Sequence, residues 1–242
     1  MRVPGAPAFL CSLVLAASLA TTGCSGPDSA DIAPVDCSGA GRRLDDVKVV
    51  ACLGDSNTHQ PEQTGWCDLL AEEYAGTSLK FLNYGFPGGG VVPSQPRFPV
   101  LDAYYWLDRA LALAPPSVVI LAYGTNDLRR HIPPADVLSH YEKLAERAKQ
   151  AGVERVLVAL TPPMHPKTVD KSAEVLELNE LIRKEFPPED QLDFFTGIDV
   201  KTDLVPDGIH FSAAGHEKRA AAVREAMHLR PGEAPTRTQP TP

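Results

Sequence analysis

From residue 47 onward the chain alternates between two hydrophobic periods. Val47 to Leu53 (VKVVACL) is a short β-branched run that stops at Gly54, the pattern of a strand. Between Gly65 and Ala75, Trp66, Leu69, Leu70 and Tyr74 recur at three- and four-residue spacing and share one face of a helix. The alternation then repeats: a strand over Leu79–Tyr84, a loop rich in proline and glycine up to Pro99, a helix over Leu101–Leu113, and the strongest strand, Ser117–Tyr123 (SVVILAY). A helix over Pro134–Ala151, a strand over Arg155–Leu160, a helix over Ser172–Glu185, a weaker strand over Leu192–Phe195 and a last helix over Ser212–His228 follow. Strands separated by helices long enough to cross back over a sheet imply right-handed crossovers and parallel strands. The expected class is α/β, a three-layer α/β/α sandwich around a flavodoxin-like parallel five-stranded sheet.

The two ends do not follow that pattern. Ala8 to Ala20 (AFLCSLVLAASLA) is an unbroken apolar or small-residue run behind Arg2, too short for the about 20 residues that cross a bilayer and suited to the core of an export signal. With Thr21, Thr22 and Gly23 leading to Cys24, it resembles a bacterial lipoprotein signal, although Thr21 stands where leucine is usual. That resemblance implies that Cys24 is lipidated, with residues 1–23 removed and the product anchored facing the periplasm or cell exterior; otherwise the protein is secreted. Residues 24–46, rich in Ser, Gly, Pro and Asp, read as a flexible tether. Residues 231–242 read as a disordered tail, which leaves 47–230 as the folded domain.

Composition narrows the partners. At 242 residues, with 43% hydrophobic and 22% charged, the chain suits one domain of roughly 150 residues or more with appendages. A net charge of −8 lacks the basic footprint that phosphate contacts require, so nucleic acid is not an expected partner. Of the five cysteines, Cys11 leaves with the signal and Cys37 lies in the tether. Cys52 reads as a small buried hydrophobe in a strand, and a Cys37–Cys67 disulfide is an open alternative for an exported protein. With no paired CxxC and no histidine cluster, neither metal nor cofactor is expected.

In doubly wound folds, ligands bind beyond the carboxyl ends of the strands, so the residues that follow each strand carry the chemistry. They are Gly54-Asp55-Ser56-Asn57, Asn83-Tyr84-Gly85-Phe86-Pro87-Gly88, Gly124-Thr125-Asn126-Asp127 and Asp207-Gly208-Ile209-His210. Ser56 at a strand-to-helix turn needs a base to become a nucleophile, and a neutral imidazole suits that task. Asp207, three residues before His210, can fix the imidazole tautomer. The oxyanion formed by attack on an ester needs fixed donors, for which the Ser56 N–H, a glycine N–H of the second loop and the Asn126 amide are available.

These four runs, in this order, resemble the blocks of the SGNH (GDSL-type) hydrolases over roughly residues 47–225. The resemblance implies Ser56 as nucleophile, His210 as base and Asp207 as its partner. Gly88 and Asn126 complete the oxyanion hole, with Gly88 favoured over Gly89 and Gly85 because the second block departs from the usual run. Asp55 and Asp127 receive supporting roles. His59, three residues past the serine, and Arg97, in the long proline-stiffened loop, are candidates for substrate contact. Asn57 reads as a capping residue, and His131, His140, His216 and His228 as solvated or capping histidines. The expected activity is carboxylic ester hydrolysis through an acyl-enzyme on Ser56, by deacetylation or by cleavage of short-chain acyl esters or lysophospholipids. The substrate is an acetylated glycan, a lipid or a small ester.

Three alternatives remain at this level. An acyltransferase would share every motif. A metal-dependent phosphoesterase would use Asp55, Asp127, Asp207 and His210 as ligands, without the His-x-His or Asp-x-His runs such sites favour. A non-catalytic flavodoxin-like module would cradle phosphate at Gly88-Gly89-Gly90 and leave the Asp207/His210 pair unexplained.

Overall fold

The structure, a computed structural model, describes residues 48–59, 64–93, 99–166 and 170–230. The expected signal (1–23), the tether with Cys24 and Cys37, Arg97 and the tail (231–242) lie outside those residues.

The strands are β1 (Lys48–Gly54), β2 (Leu79–Gly85), β3 (Val118–Ala122), β4 (Arg155–Ala159) and β5 (Gln191–Leu192). All pair in parallel in the order β2-β1-β3-β4-β5, the flavodoxin-like order expected. The helices are α1 (Trp66–Glu73), α2 (Ala103–Leu113), α3 (Thr125–Arg129), α4 (Pro134–Gln150), α5 (Ser172–Glu185) and α6 (Ala213–Ala226). Because side chains alternate across a strand, each central strand feeds two cores. Ala51, Leu53, Val119, Leu121, Val156 and Val158 pack on one face with residues of α2, α4 and α5. Val50, Cys52, Ile120, Ala122, Leu157 and Ala159 pack on the other with residues of α1 and α6. Both faces are therefore covered, which is why these strands read as continuous apolar runs.

Three expectations need correction. Gly124–Asp127, read as a loop, opens the short helix α3, whose five residues are too few for a hydrophobic period to register. The fifth strand is shorter and earlier than Leu192–Phe195, because Phe194 turns in to stack on Trp66 at 5.3 Å and does not extend the ladder. Cys52 is no unpaired hydrophobe: it forms a disulfide with Cys67, tying β1 to α1, and Cys67 is thereby unavailable to Cys37. The pairing is invisible in the sequence because only the packing of α1 on the sheet brings the two together.

Register places the site. Gly54, the last residue of β1, pairs with Gly85 at the end of β2 and with Ala122 at the end of β3. The loops that follow all three strands thus start at one level, on either side of the point where the strand order reverses.

Candidate active site

Gly54 admits no side chain, since a Cβ there would stand 1.9 Å from Thr58 Oγ1. The turn beyond it is built by Asp55, whose carbonyl accepts from the N–H groups of Thr58 (3.0 Å) and His59 (3.1 Å). The Asp55 carboxylate accepts from the Asn57 N–H at 2.8 Å. Ser56 is carried on this turn, and its own N–H has no acceptor among the described residues. Burial pushes the Asp55 carboxyl up to about 6, against the pull of the Asn57 N–H and of the Arg219 charge.

The histidine loop is shaped by Asp207 in the same manner. Gly208 takes φ +72°, and a Cβ there would meet the His165 carbonyl oxygen at 2.1 Å, so glycine is required. Asp207 Oδ1 accepts from the N–H groups of Ile209 (2.8 Å) and His210 (2.9 Å), and Oδ2 lies 2.6 Å from His210 Nδ1. On the far side of the ring, His210 Nε2 lies 2.9 Å from Ser56 Oγ. An ionised carboxylate can only accept, so Nδ1 carries the hydrogen and Nε2 turns its lone pair to the serine hydroxyl. Partial burial works against the Asp207 charge, but the His210 ring and the two backbone N–H groups outweigh it and hold the carboxyl below its ordinary range.

The glycine run of the second loop has one donor to spare. The N–H groups of Gly85, Phe86, Gly89 and Gly90 are taken by Asn83 Oδ1 (2.9 Å), the Gly54 carbonyl (2.9 Å), the Phe86 carbonyl (2.9 Å) and the Leu101 carbonyl (3.1 Å). Pro87 has none. Gly88, at φ +80°, keeps an N–H without an acceptor among the described residues, and its carbonyl accepts from Arg130 Nη2. Across from it, Asn126 on α3 donates one Nδ2 hydrogen to the Gly89 carbonyl at 3.0 Å, which leaves the second hydrogen free. Asp127 braces the loop, accepting from the N–H groups of Val91 (3.2 Å) and Val92 (3.0 Å). Burial raises its carboxyl above the ordinary range, opposed by those N–H groups and Arg130.

The structure thus brings together Ser56, Asp207 and His210, and sets Gly88 and Asn126 in bonded contact through Gly89. His59 is exposed beside the Ser56 turn, and its backbone approaches where a Cβ on Gly85 would stand, at 2.6 Å. Asp55, Asp127, Asp207 and His210 form no group that could hold a metal ion among the described residues.

Sequence reasoning missed two residues outright. Asn57 is no mere cap: its side chain reaches the histidine loop, accepting from the Phe211 N–H and donating to the Ile209 carbonyl, both at 3.2 Å. Arg219 of α6 is buried, donates from Nη1 to the Asn57 carbonyl at 2.6 Å, and packs against Phe194, Phe211 and Trp66, 4.1, 4.9 and 5.6 Å from their ring centres. Burial lowers its pKa to about 9, with Asp55 pulling the other way. The available signal was its spacing: Arg219 shares a helix face with Gly215, Ala220 and Val223, all buried. His216 on that face also departs from expectation. It is fully buried against Phe211 with neither ring nitrogen partnered among the described residues, and burial first, then the charges of Arg219 and His210, depress its pKa to about 3.

A serine–histidine–aspartate relay at the carboxyl edge of a doubly wound sheet, with free N–H donors beside the serine, is the apparatus of a serine hydrolase. The sequence profile of the GDSL-like Lipase/Acylhydrolase family matches residues 52–218; the chain belongs to that family and is an SGNH/GDSL serine esterase. Among solved structures it is similar to a carbohydrate acetylesterase from Sinorhizobium meliloti, at 20% identity and TM-score 0.63 over 75% of this chain and 98% of that one. It is equally similar to the inhibitor-bound aryl esterase of M. smegmatis, at 20% identity and TM-score 0.63 over 75% and 99%. A mutant acetyl-xylooligosaccharide esterase from Geobacillus stearmophilus aligns at 16% identity and TM-score 0.60 over 78% and 97%. At these identities the likeness is one of fold. A search of curated protein sequences gave no significant match.

Proposed function

We propose that this esterase cleaves short acyl esters, acetyl groups on glycans first among them, through an acyl-enzyme on Ser56. The observation that carries the reading is the unbroken relay from Asp207 Oδ2 to His210 Nδ1 (2.6 Å) and from His210 Nε2 to Ser56 Oγ (2.9 Å). In the first half-reaction the Ser56 hydroxyl gives its proton to Nε2 and Oγ attacks the ester carbonyl carbon. The carbonyl oxygen takes the negative charge and is met by the Ser56 N–H, the Gly88 N–H and the free Nδ2 hydrogen of Asn126. His210 returns the proton to the departing alcohol as the carbon–oxygen bond breaks. In the second half, water gives a proton to Nε2, attacks the acyl carbon and releases the acid, and Ser56 recovers its hydrogen. Asp207 stays ionised throughout and stabilises the imidazolium.

Short acyl groups are part of this proposal. Solved relatives named for acetylated carbohydrate point the same way. Export and anchoring through Cys24 form part of the proposal. The Cys52–Cys67 disulfide supports it, since disulfides persist in oxidising compartments.

The test is hydrolysis of p-nitrophenyl acetate and its longer homologues by wild type and Ser56→Ala. Activity that vanishes with Ser56 and declines with chain length is the expected result. Undiminished turnover by folded Ser56→Ala would refute the mechanism, and a preference for long chains would refute the substrate class.

A further inference from the structure

We propose that Asn57 is a positioning residue that sets His210 against Ser56. The inference rests on the reading of Ser56 as nucleophile and His210 as base. The Asp207–His210 bond lies within one loop, so it orients the imidazole in that loop but cannot fix where the loop sits relative to the turn after β1. Something must join the two, and Asn57 does so around His210 itself. Its Nδ2 donates to the Ile209 carbonyl and its Oδ1 accepts from the Phe211 N–H, both at 3.2 Å. Residues 209 and 211 flank the histidine. A residue of a parallel strand holds its neighbour by the same pair of bonds, one to the residue before and one to the residue after, so the carboxamide here imitates a strand's peptide group.

The main-chain groups on either side of the His210 ring are tied down. The N–H groups of Ile209 and His210 go to Asp207 Oδ1, the His210 carbonyl accepts from the Val205 N–H at 2.8 Å, and Asn57 meets the Ile209 carbonyl and the Phe211 N–H. Asn57 is itself fixed: it is 2% exposed, its N–H is held by Asp55 and its carbonyl by Arg219. Only a carboxamide of this length supplies one donor and one acceptor there. Leucine offers neither, and an ionised aspartate two acceptors, one aimed at the Ile209 carbonyl oxygen. Because displacement of a reacting group by about 1 Å can cost on the order of 100-fold in rate, loss of the bridge reaches the chemistry and leaves substrate binding alone.

The experiment measures kcat and KM of Asn57→Leu and Asn57→Asp on p-nitrophenyl acetate, beside wild type and Ser56→Ala, at a temperature where circular dichroism shows each variant folded. It also follows inactivation by a phenylmethyl sulfonyl fluoride, which needs the same serine and base. The expected result is a kcat lower by about 10- to 100-fold with KM within about threefold, slower inactivation in parallel, and a retained low-field proton resonance of the His210 Nδ1–H bond to Asp207. Loss of kcat with the Asp207–His210 bond intact distinguishes misplacement of the loop from general damage. A folded Asn57→Leu with kcat within twofold of wild type overturns the proposal, as does loss of the low-field resonance, which would place the effect inside the loop. If Asn57→Leu does not fold, Asn57→Asp alone decides by the same criteria. Turnover retained by Ser56→Ala would instead refute the nucleophile assignment, whatever Asn57 does.

Discussion

Asn126 holds the second loop through its side chain and is the proposed side-chain donor of the oxyanion hole. One Nδ2 hydrogen holds the Gly89 carbonyl; with the other as the proposed oxyanion donor, Asn126→Ala is expected to lower kcat by about 10²–10³-fold, the usual size for one oxyanion donor. A normal rate in that variant would remove Asn126 from the hole. Asp207→Asn should lose less kcat than His210→Ala, because the aspartate acts through the histidine; equal losses would require a larger role for it. His216 permits a test of stability. A buried neutral histidine whose pKa falls from 6.5 unfolded to about 3 folded leaves the folded state with fewer bound protons. Its share of stability is therefore intact above pH 6.5 and is lost as pH falls towards 3. Urea titrations of wild type and His216→Leu should differ by about 3 kcal/mol more at pH 4 than at pH 7, with the variant the more acid-resistant. A pH-independent difference would mean that the ring is not held neutral.

Among the elements, α1 and β1 carry a constraint that α2 and α4 do without. Helices α2, α4 and α5 are held by apolar packing on their face of the sheet, whereas α1, only eight residues long, is also fastened through Cys67 to Cys52. The bridge closes a span of 15 residues, for which loop-closure entropy gives about 3 kcal/mol. Cys67→Ala should therefore lower Tm by roughly 6–12 °C for a domain of this size, and dithiothreitol should bring wild type to the variant's Tm. Unequal values after reduction would assign the loss to packing at Cys67 and not to the cross-link. Helix α6 works differently: its Arg219 reaches through the second core to the Asn57 carbonyl, so the last element of the fold secures the first functional turn. Cys67 and Arg219 both stand on buried helix faces, but a period marks burial and not the partner, so the periods located α1 and α6 without revealing what they fasten.

At the scale of the whole molecule, export and anchoring can be tested by fractionation. Wild type should sediment with membranes and Cys24→Ala should be released; identical fractionation would end the lipoprotein proposal. The alternation of periods was enough to place the layers and the parallel sheet, because each central strand must be apolar on both faces to lie between two helical layers. The groups of the candidate site were legible for a related reason. Each follows a strand and its constraints are local: glycines where a side chain has no room, and a carboxylate three residues before a histidine. What lay beyond the sequence is what joins residues far apart in it. The bond from Asn57 to Phe211 spans 154 residues and that from Arg219 to Asn57 spans 162. Helix α3 lifts Asn126 to the loop of Gly88, and Cys67 meets Cys52 only once α1 has packed. Sequence alone determined the four runs that mark the family and the edge of the sheet on which they stand, because strand periodicity and turn chemistry are short-range. Tertiary structure alone decided how those groups are held in line, because a side chain's partner across a packed core is set by burial and register and leaves no local pattern.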